Sequence, residues 1–173
     1  MKKAKILFWT FIASIVGLGV YCFYPEDRLP SGVKIDKLVV YKSKRKLEAY
    51  SGGELVKSYV ISLGDQPAGH KEFEGDEKTP EGQYTINAKN PFSGYHKNLG
   101  ISYPNKEDME HARSLHKKAG GDIKIHGLRN DLGLIGKLHR FIDWTNGCMA
   151  VTDEEIDELY KAVEINTPII INQ

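Results

Sequence analysis

The chain has 173 residues, of which 40% are hydrophobic and 10% aromatic, enough for one domain with a substantial core. Twenty-four basic residues against 23 acidic ones give a formal charge of +1. Beyond Pro30 the balance is 20 basic to 21 acidic, which argues against nucleic acid as a partner.

The first element is apolar. After Lys2, Lys3 and Lys5, the run from Ile6 to Tyr24 carries no charge for nineteen residues. As a helix rising about 1.5 Å per residue it is roughly 28 Å long, close to the ~30 Å hydrocarbon core of a bilayer. A cleaved signal has a shorter apolar stretch and small residues at the cut, whereas this run ends in "VYCFYPEDR". The expectation is an uncleaved signal anchor with its cytoplasmic tip over residues 1–25; the alternative is a buried core helix. Cys22 follows Tyr21 rather than a small residue, which speaks against lipidation. The N-terminal lysines stay in the cytoplasm by the positive-inside rule, so everything after Pro25 is exported. Cys148 is then the only thiol outside the membrane, with no disulfide partner to explain it.

Residues 26–32 read as a linker and residues 33–173 as the globular domain. "VKIDKLVVYKS" and "KLEAYSGGELVKSYVISLG" alternate apolar and polar residues, with Ser51-Gly52-Gly53 placed to turn one strand into the next. Pro80 and Gly82 fit the second and fourth positions of a type I turn leading into a strand over Gln83–Ala88. "LGISYPN" is a further short strand, Asp108–Lys118 a helix closed by Gly120-Gly121, and "DIKIHG" a strand again. Thr152 and Glu155 form a capping box for a helix to about Val163, and Pro168 opens the last strand, "PIIIN".

The chemistry-bearing residues flank residues 128–144. His126 ends a strand, and Gly127 lets the backbone turn away. Asn146-Gly147-Cys148 is a tight-turn signal before "CMAV". A glycine beside a nucleophile admits substrate and frees N–H groups for a developing oxyanion. A thiol needs a base at neutral pH, and histidine can take its proton and return it to a leaving amine. From the residues alone, a core role for Cys148 and for His126 stays open.

"IKIHG", seventeen residues, then "TNGCMAV" resembles the active-site signature of the L,D-transpeptidase (YkuD-like) catalytic domain, and "GDEKTPEGQYTI" and "GISYPN" resemble segments upstream of its histidine. The similarity runs from about Val33 to Asn172. It implies a mostly β domain with a few helices, a β-sandwich or barrel, here preceded by one transmembrane helix. It further implies Cys148 as nucleophile, His126 as general acid and base, Gly147 and Asn146 at the oxyanion, and Gly127, Thr145 and Tyr103 as substrate contacts, with no cofactor and no metal. The implied partner is the peptide stem of bacterial peptidoglycan, reached from the inner membrane. Family members are acylated by carbapenems at this thiol. Two positions depart from the common pattern: Asn146 stands where a His is usual, expected to take a left-handed turn, and Ala150 where an Arg is usual. Arg129 and Arg140 are candidate substitutes for that guanidinium, with surface charge the expected role of both, and Ala150→Arg is expected to be tolerated or mildly helpful to turnover.

Rivals differ by residue order. A sortase-like transpeptidase needs an Arg after the Cys, and none follows Arg140. A papain-like peptidase places Cys before His. A metallocarboxypeptidase would use His111, His116, His126 or His139, but the i, i+5 spacing of the first two does not suit a zinc helix. An L,D-carboxypeptidase or cross-link hydrolase of the same fold, and a non-catalytic wall-binding module, remain as alternatives.

Overall fold

In a computed structural model describing residues 2–173, the alternating segments form one curved sheet. Its strands are β1 (Lys37–Tyr41), β2 (Lys46–Ser51), β3 (Glu54–Val60), β4 (Gly82–Ser93), β5 (His96–Ile101), β6 (Lys124–His126), β7 (Met149–Ala150) and β8 (Pro168–Asn172), in the spatial order β3-β2-β1-β8-β4-β5-β6-β7. Three α-helices accompany them: α1 (Lys2–Phe23), α2 (Lys106–Ser114) and α3 (Asp153–Ala162). The mostly β domain with few helices is therefore as expected.

The β2–β3 hairpin turns at Gly52 and Gly53, both at positive φ (60° and 85°), which residues with a Cβ adopt only at a cost. Strand β4 serves both halves of the sheet. Gly82–Thr85 pairs with β8, and from Ile86 onward the strand pairs with β5, with register shifts between Ile86 and Ala88 and between Asn90 and Ser93. Such irregularities bend a strand and curl the sheet around its core. Leu38, Val40, Ile86, Leu99, Ile125 and Ile169 are fully buried in that core. Helix α3 packs on β5 and β6 through Ile156 and Leu159, each contributing about 1.5–3 kcal/mol by burial.

The capping box of α3 is formed as expected: Glu155 N–H donates to Thr152 Oγ1 (3.3 Å), and Thr152 N–H to Glu155 Oε2 (2.9 Å). Helix α2 departs from expectation. It begins at Lys106, because Asn105 and Asp108 form a second capping box, and it ends at Ser114 before a left-handed His116 (φ 56°). The expected type I turn at Pro80 is not closed either. Thr79 O, the acceptor that turn would use, takes Lys42 Nζ (2.9 Å) rather than Gly82 N–H, and β4 starts at Gly82 itself.

Helix α1 contains the window Lys5–Phe23, long and apolar enough to cross a membrane, with a mean hydropathy of 2.1 and none of it buried. The buried core helix is thereby set aside. The segment after α1 is pinned rather than free: Glu26 accepts from Arg140 Nη1 (2.6 Å) and pairs with Lys137 (3.2 Å).

Candidate active site

Parallel pairing of β6 with β7 aligns Ile125 with Met149 and His126 with Ala150. Side chains alternate along a strand, so Ile125 and Met149 enter the core while Lys124, His126, Cys148 and Ala150 share the opposite face. Cys148, immediately before β7, is thus brought to the same side of the sheet as His126. Both line one cavity of about 340 Å³, with Tyr95, Asp122, Trp144 and Asn146 among its walls.

The turn that delivers Cys148 is fixed by backbone. Gly147 has φ +122°, and a Cβ there would stand 2.5 Å from Lys78 O. Gly64 faces it: a Cβ at that position would stand 2.0 Å from Glu77 O and 3.0 Å from Gly147 Cα. Two backbones meet where neither can carry a side chain. The 64–81 loop is itself held by Lys42, fully buried, whose three ammonium protons go to Gly69 O (2.5 Å), Thr79 O (2.9 Å) and Glu81 Oε1 (2.8 Å). We expect Gly147→Ala to destabilise the domain by about 1–3 kcal/mol from the strained φ alone. Urea unfolding checks this, and an unchanged midpoint would mean that the loops separate easily.

Thr145 and Gly147 have conformational duties. Gly147 N–H donates to Thr145 Oγ1 (3.1 Å), whose hydroxyl donates to Cys148 O (2.7 Å). The Gly147 amide expected at the oxyanion is thus engaged within the turn. Asn146 is exposed at the cavity, and the left-handed backbone expected of it belongs to Gly147. Gly127 is not among the cavity walls; a Cβ there would stand 2.6 Å from Asp153 Oδ1 and 3.0 Å from Ile156 Cγ2, so it is a packing glycine under α3. Tyr103, expected as a substrate contact, is a core residue whose hydroxyl donates to Ala119 O (3.0 Å).

His126 Nδ1 lies 2.7 Å from Gly127 O. A carbonyl only accepts, so Nδ1 carries the proton and Nε2 of the neutral ring keeps its lone pair, the tautomer a base requires. The ring is 5% exposed, with Tyr95 at 4.7 Å and Trp144 at 5.7 Å between centroids. Burial pulls its pKa down to about 4, against the Gly127 bond and helped by the Lys124 charge. Burial pushes the Cys148 thiol up; the Lys124 N–H and nearby lysine charges oppose this. The thiol donates to Asp122 O at 3.5 Å. The resting pair is neutral thiol and neutral imidazole.

Behind His126 lies a second buried histidine, His139, which the sequence marks only as a metal candidate. Ser62 Oγ donates to His139 O (2.9 Å), so His139 Nδ1 donates to Ser62 Oγ (3.0 Å), and the His139 ring meets Trp144 edge-on at 6.5 Å. His111 pairs with Glu72 and His116 lies beyond α2; among the described residues no three His, Cys, Asp or Glu converge on one point. Arg129 pairs with Asp131, and Arg140 with Glu26 and Glu155, so neither guanidinium replaces the missing one at the cavity. Tyr95 and Trp144 join the walls without any mark in their local sequence.

Burial holds both His126 and His139 at about pH 4. Below their unfolded value of 6.5 the unfolded chain binds protons that the folded one refuses. Their contribution is thus fully present above pH 6.5 and lost as pH falls towards 4, on the order of 3 kcal/mol for each ring. Unfolding midpoints should drop between pH 7 and pH 4.5, and a flat profile across that interval would contradict the burial of both rings.

Comparison with known proteins agrees with this architecture. Residues 35–171 match the L,D-transpeptidase catalytic domain, YkuD. The chain is 33% identical over 146 residues to YafK of Escherichia coli (strain K12), whose assignment as an L,D-transpeptidase is itself provisional; the match covers 81% of this chain and 50% of YafK. The chain therefore spans about half the length of the curated relatives it matches. Among solved structures, the helical cell shape determining protein Pgp2 from Campylobacter jejuni superposes with a TM-score of 0.61 at 24% identity, over 86% of this chain and 52% of Pgp2. An L,D-transpeptidase from Mycobacterium smegmatis gives 0.53 at 15%, over 82% of this chain and 60% of the other. With the curled sheet, the paired β6 and β7 ends and a match across most of the domain, the chain belongs to the L,D-transpeptidase catalytic-domain family.

Proposed function

We propose that the protein is a cysteine acyltransferase acting on the tetrapeptide stem of peptidoglycan. Cys148 Sγ attacks the carbonyl of the third residue while His126 Nε2 takes the thiol proton. His126 then gives that proton to the leaving amine, releasing D-alanine and leaving a thioester. An amine of a second stem resolves it to a 3–3 cross-link; another amine gives exchange or attachment, and water gives a tripeptide. The observation that carries this reading is the neutral His126 tautomer, set by Gly127 O, in one cavity with Cys148. Pgp2 is named for cell shape, and altering stems would bear on the same property of the wall.

Incubating the protein with disaccharide-tetrapeptide and weighing the products by mass spectrometry tests the reading. Dimers mean cross-linking and tripeptides mean carboxypeptidase activity; no release of D-alanine, with the substrate intact, would sink it. Since His126 must be neutral to act, kcat/KM should hold down to about pH 5 and fall only towards pH 4.

For location, we propose a single-pass anchor in the bacterial inner membrane, residues 1–25, a short linker over 26–32 and an extracytoplasmic domain from residue 33. Support comes from the apolar window Lys5–Phe23 and the lysines before it. A reporter active only in the cytoplasm, fused after Gln173, should stay dark; a bright signal would defeat both the topology and the wall substrate.

A further inference from the structure

Between His126 and Cys148 the chain runs through a kinked 3-10 segment, Gly133–Phe141, that is built inside out. Its apolar side chains face outward: Leu134 is fully exposed, and Phe141 and Ile142 are each 65% exposed. Its polar ones face inward: the side chains of Lys137 and Arg140 are only 13% and 4% exposed, and His139 is buried. Water favours the reverse arrangement, and an exposed apolar surface of this kind marks a contact with something apolar.

Position identifies that contact. The Phe141 ring lies 5.6 Å from the ring of Tyr21 on α1. Tyr21 is two residues inside Phe23, the end of the apolar window, hence about 3 Å below the plane where the helix would leave the hydrocarbon. Lys137 Nζ donates to Tyr24 O (2.6 Å) and sits 5.8 Å from the Tyr21 ring, a snorkelling cation among interfacial aromatics. Arg140 bridges Glu26, just past the helix, to Glu155 at the start of α3 (2.6 and 2.8 Å). The segment is thus fastened to the exit of the helix on one side and to the domain on the other.

We propose that residues 132–142 form a second membrane contact, an apolar loop that seats the catalytic domain on the outer surface of the bilayer beside the exit of α1. The proposal rests on the reading of α1 as a bilayer-spanning helix. The occupant is lipid rather than a second copy, because the apolar face is continuous with the membrane helix, Arg140 is turned into the domain and Lys137 sits at the level where the helix leaves the hydrocarbon. The same segment leads through Asp143 into Trp144, a wall of the cavity, so the contact also sets how the cavity faces the membrane.

Site-directed spin labelling tests it. In the full-length chain carrying Cys22→Ser and Cys148→Ala, a nitroxide is placed in turn at Ile15→Cys on α1, Leu134→Cys on the segment and Lys106→Cys on α2. Each protein is reconstituted into vesicles of phosphatidylethanolamine and phosphatidylglycerol, and collisions with oxygen and with a water-soluble nickel chelate are compared. Leu134 is exposed and Lys106 lies on a solvent-facing turn, so the labels do not disturb the core. The expected result is a several-fold higher ratio of oxygen to nickel accessibility at 15 and at 134 than at 106. A lipid-like label at 15 with a water-like label at 134 overturns the loop contact and leaves the anchor standing. A label at 134 shielded from both reagents means that protein covers the face, which also overturns it. A water-like label at 15 removes the anchor and the proposal together.

Discussion

Replacing His126 with Gln is expected to slow acylation of Cys148 by a carbapenem by about 10²–10⁴ near neutral pH, the usual worth of general-base assistance. Intact-protein mass spectrometry should show one adduct on the native chain, mapping to Cys148, and none on Cys148→Ala. The size of the effect follows from the resting pair. The thiol, pushed above its ordinary 9.0 by burial, faces an imidazole pulled down to about 4. Forming a thiolate–imidazolium pair before attack is then opposed by burial of both groups, which disfavours each charged form. Proton transfer therefore accompanies formation of the C–S bond rather than preceding it, and acylation should show a normal solvent isotope effect. The His126→Gln variant should regain rate as pH rises and the thiolate forms unaided. Wild-type acylation by a folded His126→Gln protein would reduce Cys148 to an accessible thiol.

The parts of this site that are legible without the structure are those written in local sequence. Alternation marks β1 to β3, Thr152 and Glu155 mark the start of α3, and the residues around His126 and Cys148 carry the family likeness. Asn105 with Asp108 is also a readable capping signal, and a helix begun at Asp108 itself overlooks it, which displaces α2. Other features depend on partners far along the chain. Asp143 takes Arg45 and Leu63 N–H, Arg140 takes Glu26, and Gly147 needs Gly64 and Lys78 O beside it. No periodicity in residues 128–144 announces 3-10 turns held by such distant pairs. Lys42 looks like one more surface cation until three oxygens from the 69–81 stretch close around it.

Ala150→Arg is expected to destabilise the domain by about 3–5 kcal/mol, the cost of leaving a buried charge unpaired, reversing the tolerance anticipated from the family pattern. Ala150 is fully buried, and its backbone is locked to Ser62 in both directions, Ala150 N–H to Ser62 O (2.8 Å) and Ser62 N–H to Ala150 O (3.0 Å). Residues paired across adjacent strands present their side chains to the same face. The side chain at 150 is therefore flanked by His126 on β6 and by Ser62 on the other side, where Ser62 and His139 close the space with two hydrogen bonds of their own. A guanidinium placed there meets two buried imidazoles and a hydroxyl already engaged. The carboxylates of Glu26 and Glu155 are taken by Arg140. Ala150 is a small residue between a histidine and a serine, and the space around it is already filled. Urea unfolding of Ala150→Arg against wild type measures the cost, with Ala150→Ser as a near-isosteric control expected to lose far less. If the arginine variant unfolds at the wild-type midpoint, the side chain has found an exit to solvent between Ser62 and His126, and the packing behind His126 is looser than its burial implies.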